Sequence, residues 1–141
     1  MRTAYETIET LQAERSFMQR YETAFNVHCE KLPVSYRLDY AVMEMGQVVQ
    51  WLELKNRSHA MHKYPAYWIS LGKFLHGAAL ADRTTISFIL AVRFSDCDAL
   101  VNCSALSRKQ WGITHGGRRD RNDPADMEPL VTIPINLFTT F

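Results

Sequence analysis

Three cysteines among 141 residues, Cys29, Cys97 and Cys103, are too few and wrongly spaced for a disulfide framework. They imply free thiols in a reducing cytosol. No C-x-x-C pair occurs, and neither His59/His62 nor Cys97/Cys103 has the paired spacing of a zinc site. Long apolar runs are also missing. The longest, Ile86 to Val92, is interrupted by Ser87 and is far too short to span a membrane. The first residues are too polar for a signal peptide. A charge excess is lacking as well, since the formal net charge is +1. Any contact with a nucleic acid must therefore come from a local patch. With 47% hydrophobic and 22% charged residues, the chain has the composition of a folded protein. Its length suits one domain over residues 1–141.

The informative segment is Leu38-Asp39-Tyr40, followed after one glycine by Trp51-Leu52-Glu53-Leu54-Lys55. Asp39, Glu53 and Lys55 interrupt apolar, β-prone sequence, where an unpaired charge is costly. Side chains alternate along a strand, so Glu53 and Lys55 share one face and Leu52 and Leu54 the other. A hairpin turning at Met45-Gly46-Gln47 sets Asp39 opposite Glu53. A slip of one residue would part them, so this reading requires an odd-length turn, or a bulge, near Gly46. Two carboxylates at ~4.5 Å and an effective dielectric of ~20 repel by ~4 kcal/mol. A hard divalent cation, Mg²⁺ or Mn²⁺, removes that repulsion. Lys55 then stands where it can reach a phosphate oxygen or orient a water.

Around this hairpin the sequence predicts a helix over about residues 4–27, with Leu11, Met18, Tyr21 and Phe25 on one face. Glu14 falls in that row. It is either a helix-edge residue paired with a base or a carboxylate reaching the site. The hairpin strands are read as about 35–44 and 48–56. A second helix is expected from Pro65 to about 81, with Ser70 and Lys73 on a common face. Strands are expected at Thr84–Phe94 and Ala99–Leu106, joined by a turn holding Asp96 and Asp98. Residues 107–126 read as a loop rich in glycine and cations: Arg108, Lys109, Arg118, Arg119 and Arg121, with Trp111 and His115 interleaved. These cations would contact phosphates, and Trp111 would stack on an unpaired base. Leu130–Phe138 is a last strand, which Pro134 confines to an edge or a bulge.

An Asp on one strand and Glu-x-Lys on the next resembles the signature of the PD-(D/E)XK nuclease superfamily. The order helix, hairpin, helix, strands over about residues 8–106 resembles the restriction-endonuclease-like core. That core is an α/β fold, a central mixed sheet flanked by helices. The resemblance implies a Mg²⁺-dependent deoxyribonuclease acting on DNA, with Asp39, Glu53 and the Leu54 carbonyl as metal ligands and Lys55 as the catalytic lysine. It makes Glu14 the helix acid and an outward-facing Lys73 an auxiliary phosphate contact. Its compactness is similar to stand-alone phage nucleases, which implies a cytoplasmic protein (host cytoplasm if viral), with a homodimer left open. The alternative is a nuclease-like fold that binds nucleic acid or a protein without cutting. Leu38 replaces the proline that names the motif, and little chain separates Phe25 from Asp39 for a first strand.

Overall fold

The computed structural model describes residues 8–117 and 127–141. Helix α1 (Ile8–Phe25) leads into β1 (His28–Lys31), β2 (Tyr40–Glu44) and β3 (Gln47–Asn56). Next come β4 (Ala66–Ser70), α2 (Leu71–Thr84), β5 (Ser87–Arg93) and β6 (Asp98–Asn102). The chain closes with β7 (Gly112–Gly117), β8 (Met127–Pro134) and β9 (Thr139–Thr140). A six-stranded sheet has the order β1-β2-β3-β5-β6-β9, in which only β3 and β5 are parallel. A smaller antiparallel sheet has the order β4-β8-β7. The short span after Phe25 does hold a first strand, the four residues of β1.

Alternation along β5 divides the core. Ile89 and Ala91 face α1, where Phe17, Met18 and Tyr21 pack on Tyr40, Val42 and Leu52. Phe88, Leu90 and Val92 face α2 and the small sheet, meeting Phe74, Ala81, Tyr67, Ile69, Val131 and Ile133. Helix α1 is anchored by Phe17, fully buried, rather than by the whole expected row: Leu11 and Phe25 are 43% and 44% exposed. Each fully buried aromatic of this kind contributes roughly 1.5–3 kcal/mol. Arg20 clamps α1 to β6 through Asp98, with Nε and Nη2 at 2.5 and 3.0 Å from the two carboxylate oxygens. Asp98 is thus the first residue of β6 and an ion-pair partner, while Asp96 accepts the Met61 N–H at 2.9 Å.

The register is set by a bulge, the second of the two expected routes, and not by an odd-length turn. The turn has two residues, Met45 and Gly46, both at positive φ (50° and 76°), a geometry that glycine adopts without strain. Such a turn alone, pairing Glu44 with Gln47, would bring Asp39 opposite Leu52. A bulge corrects this. Val42 pairs with Gln50 but Met43 with Val48, so Val49 is the extra residue. Tyr40 then pairs with Leu52 as the last pair of the ladder, and Asp39 lies one residue beyond it, its N–H on Leu52 O at 3.1 Å.

The second helix begins six residues later than expected. Tyr67 and Ile69 are buried while Trp68 is 51% exposed, which is the two-residue period of a strand. This strand, β4, pairs with β8, a partner distant in sequence, from Ala66 opposite Pro134 to Ser70 opposite Leu130. Ser70 ends it and caps α2, its Oγ accepting the Lys73 N–H at 3.2 Å. The segment expected as a loop over 107–126 contains β7, paired with β8; residues 118–126 lie outside the described chain. Pro134 closes β8, the central strand of the small sheet, opposite Ala66 and beyond the last β7 pair at Thr132. Within α2, Gly77 touches β5 so closely that an added Cβ would come 2.4 Å from the Phe88 ring. That approach carries Lys73, one turn earlier, toward β3.

Candidate active site

Glu53 is the buried charged residue of the described chain, at 1% exposure. It lies on the face of β3 turned toward α2, while Leu52 and Leu54 pack toward α1. Neither carboxylate oxygen accepts a hydrogen bond from the described residues. Two ammonium groups approach Oε1 instead, Lys55 Nζ at 3.5 Å and Lys73 Nζ at 3.4 Å. Burial pushes the Glu53 pKa above the usual carboxylate range and the charge of Asp39 adds to this; Lys55 and Lys73 oppose the rise without cancelling it.

Lys73 does not face outward as expected. Its side chain is 12% exposed and turns inward, pairing with Glu53 and donating to the Arg37 carbonyl. His76, on the same helix, lies 2.9 Å from the Tyr36 carbonyl. Helix α2 therefore holds the backbone just ahead of Asp39. Asp39 itself is pinned three ways: its N–H donates to Leu52 O at 3.1 Å, its carbonyl accepts the Leu32 N–H at 2.8 Å, and Oδ2 accepts the Leu54 N–H at 2.8 Å. The backbone on both sides of Glu53 is thereby tied to Asp39.

Glu14 is half-buried on α1. It accepts the Tyr40 hydroxyl at 2.5 Å and pairs with Lys31 at 3.5 Å. It has a basic partner, as one account of it requires, and it lines a cavity of ≈ 210 Å³ shared with Asp39 and Leu54. Asn56 and Arg93 line the same cavity. Sequence reasoning did not single out Tyr40, Asn56 or Arg93, although Tyr40 adjoins Asp39 and Asn56 follows Lys55. The three acids do not gather into one cluster: among the described residues no group of three or more His, Cys, Asp or Glu side chains is placed to hold a metal. What fits a cation is narrower. Glu53 presents two buried oxygens without a hydrogen-bond partner, on a strand whose Leu52 and Leu54 backbone is bonded to Asp39.

Of the expected basic loop, Arg108 and Lys109 are exposed. Arg108 lies 4.1 Å from the centroid of the Trp111 ring, and that ring packs on Phe74 at 4.8 Å. Trp111 thus has ring contacts within the protein. Arg118, Arg119 and Arg121 lie outside the described residues. The three cysteines are free, and burial pushes Cys29 and Cys103 up to about 12, which makes them poor nucleophiles.

Residues 1–141 match the family model described as "Phage putative PDDEXK endonuclease". The chain belongs to this nuclease family. Among solved structures, the chain is similar to Hjc of Archaeoglobus fulgidus, a Holliday junction resolvase from an archaeal hyperthermophile. The two share 11% identity at a TM-score of 0.59, over 91% of this chain and 88% of the other. That likeness shows the fold, and the restriction-endonuclease-like α/β core expected from the sequence is present. No curated protein matches the sequence. No helix of the described residues is long and apolar enough to cross a membrane.

Proposed function

We propose that this chain is a divalent-metal-dependent endonuclease that hydrolyses phosphodiester bonds in DNA. The observation that carries the reading is Glu53: a carboxylate at 1% exposure with no hydrogen-bond partner, between two lysines and flanked by backbone that is bonded to Asp39. A purely structural role does not account for it, because an apolar residue would fill the same space without the desolvation cost.

In this reading Asp39 and Glu53 hold Mg²⁺ or Mn²⁺, with the Leu54 carbonyl as a further ligand. When bound, the ion supplies positive charge that polarises a phosphoryl oxygen and makes a water more acidic. The protein does the rest. Lys55 orients the attacking water and offsets the charge that builds on the phosphorus centre. Lys73 holds Glu53 in place and neutralises part of its charge. Glu14, across the small cavity from Asp39, is positioned by Tyr40 and supports the site from α1. The cations of Arg108, Lys109, Arg118, Arg119 and Arg121 grip the DNA backbone. All of this takes place within one domain over residues 1–141.

The test is incubation with linear, nicked, single-stranded and four-way-junction DNAs, with Mg²⁺, with Mn²⁺, or with a chelator. Cleavage of at least one substrate that the chelator stops supports the reading. Tight DNA binding without cleavage under every condition would favour a binding module instead.

A further inference from the structure

A pocket of ≈ 540 Å³ opens beside the end of β3, lined by Arg57, His59, Tyr64, Tyr67 and Trp68. Two large aromatics stand half open there, Tyr64 at 49% and Trp68 at 51% exposure. Isolated exposed apolar residues are ordinary, but two aromatic rings sharing one pocket with cations are not. The Arg57 guanidinium lies 4.8 Å from the Tyr67 centroid, and Lys63 Nζ lies 5.5 Å from that of Tyr64. His59 meets the Tyr64 ring edge-on at 4.9 Å and holds it in orientation. Trp68 is supported from below: a Cβ on Gly116 would stand 3.3 Å from its ring, so the missing side chain leaves the space that the ring covers.

The position relates this pocket to the site. Arg57 follows Lys55 by two residues, and its N–H is fixed to the Arg93 carbonyl at 2.9 Å. Tyr67 and Trp68 belong to β4, which runs directly into the helix that carries Lys73. The Tyr67 hydroxyl is buried and has no hydrogen-bond partner among the described residues. Burial raises its pKa, Arg57 opposes this, and the charge of Glu53 adds to the rise. Tyr67 thus lines the pocket and lies within electrostatic reach of Glu53.

We propose that Tyr64 and Trp68 form a stacking pocket for one unpaired nucleobase, with Arg57 and Lys63 holding the phosphates on either side of it. This rests on the nuclease reading and narrows its substrate to DNA that offers an unpaired base near the scissile bond. Every base has a π-face, so the pocket selects unpaired over paired nucleotides rather than one base over another. A pocket of this volume accommodates a single base. Trp111, packed on Phe74, is displaced from this role.

The test measures binding in chelator, so that no cleavage intervenes. The probes are a labelled single-stranded deoxythymidine oligonucleotide and its abasic counterpart. Trp68→Ala and Tyr64→Ala should each weaken binding of the deoxythymidine probe about tenfold. Binding of the abasic probe should change by less than about twofold, because only phosphate contacts remain to it. Trp68→Phe, which retains a ring, should recover most of the loss and excludes misfolding as its cause. Equal losses on both probes, or no loss on either, would overturn the pocket. Its fate separates from that of the nuclease reading: if the difference between probes vanishes while Glu53→Gln still abolishes cleavage, the pocket alone falls.

Discussion

Lys73 Nζ lies 3.4 Å from Oε1 of Glu53 and also donates to the Arg37 carbonyl, so one ammonium joins α2, β3 and the backbone ahead of Asp39. Removing it should expose the cost of a buried carboxylate. Lys73→Met should destabilise the protein by about 1–3 kcal/mol at a pH above the raised folded-state pKa of Glu53, where the carboxylate is ionised. The loss should be much smaller at pH 4, where Glu53 is protonated, and Glu53→Gln in the same chain should recover part of it. Denaturant titration of the four variants at the two pH values checks this double-mutant cycle.

The raised pKa of Glu53 sets the sign of its own pH dependence. A carboxyl whose folded-state pKa lies above its unfolded value contributes stability that is fully present below the unfolded pKa. That stability is lost as pH rises through the folded value. In Glu53→Gln this contribution is absent. The stability of the variant relative to the parent should therefore increase from about pH 4 upward and level off above the folded pKa of Glu53. Melting profiles across pH provide the comparison. A variant that loses ground to the parent as pH rises would show that ionised Glu53 is net stabilised by its lysines.

Gly77 of α2 packs directly on the Phe88 ring of β5, and this close approach positions Lys73. Gly77→Ala places a methyl group 2.4 Å from a fully buried ring, so helix or ring must shift. We expect a loss of about 1–3 kcal/mol in stability, despite the better helix propensity of alanine. The same variant should cleave more slowly through displacement of Lys73. Unchanged stability would mean that Phe88 has room to move.

The acidic hairpin was legible because charge in β-prone sequence is conspicuous and alternation is a local rule. Asp39, Glu53 and Lys55 stand out in the sequence for that reason. A bulge near Gly46 was one of two routes to this register, but its place at Val49 was not legible, because nothing in Val48-Val49 distinguishes a paired residue from an extra one. The small sheet was also missed. Trp68, Ile69, Leu71, Phe74 and Leu75 satisfy a helical period, and β4 acquires its strand character only by pairing with β8, distant in sequence. Lys73 seemed outward-facing for a related reason: the periodicity of α2 does not reveal that Gly77 lets the helix sink onto β5. Phe17 was overlooked beside the row Leu11, Met18, Tyr21 and Phe25, two members of which are largely exposed.

Glu14 shares a cavity with Asp39 and is held by Tyr40. Glu14→Gln keeps the hydrogen bond but removes the charge. It should lower cleavage or metal affinity by about tenfold to a hundredfold, the range found for residues that support a metal site from behind. Cleavage rates over a Mg²⁺ titration resolve the two effects. Parent-like values for both would confine Glu14 to pairing with Lys31 and anchoring α1.

Arg118, Arg119 and Arg121 follow two glycines and form the densest run of cations in the chain. Replacing all three with alanine should weaken binding across DNA sequences. It should also flatten the dependence of log affinity on log salt by up to about three units, one per lost phosphate contact. Anisotropy titrations over a range of salt concentrations read both quantities. An unaltered slope would place the phosphate contacts elsewhere.

The most direct measurement is cleavage of the best DNA substrate by the parent and by Glu53→Gln, at equal protein and saturating Mg²⁺. The substitution changes one anionic oxygen to an amide and little else, so fold and DNA affinity should persist. The parent should cleave, and the variant should be slower by at least about a hundredfold. Cleavage at the parental rate by a folded Glu53→Gln protein would contradict the assignment of the buried carboxylate as the centre of the site.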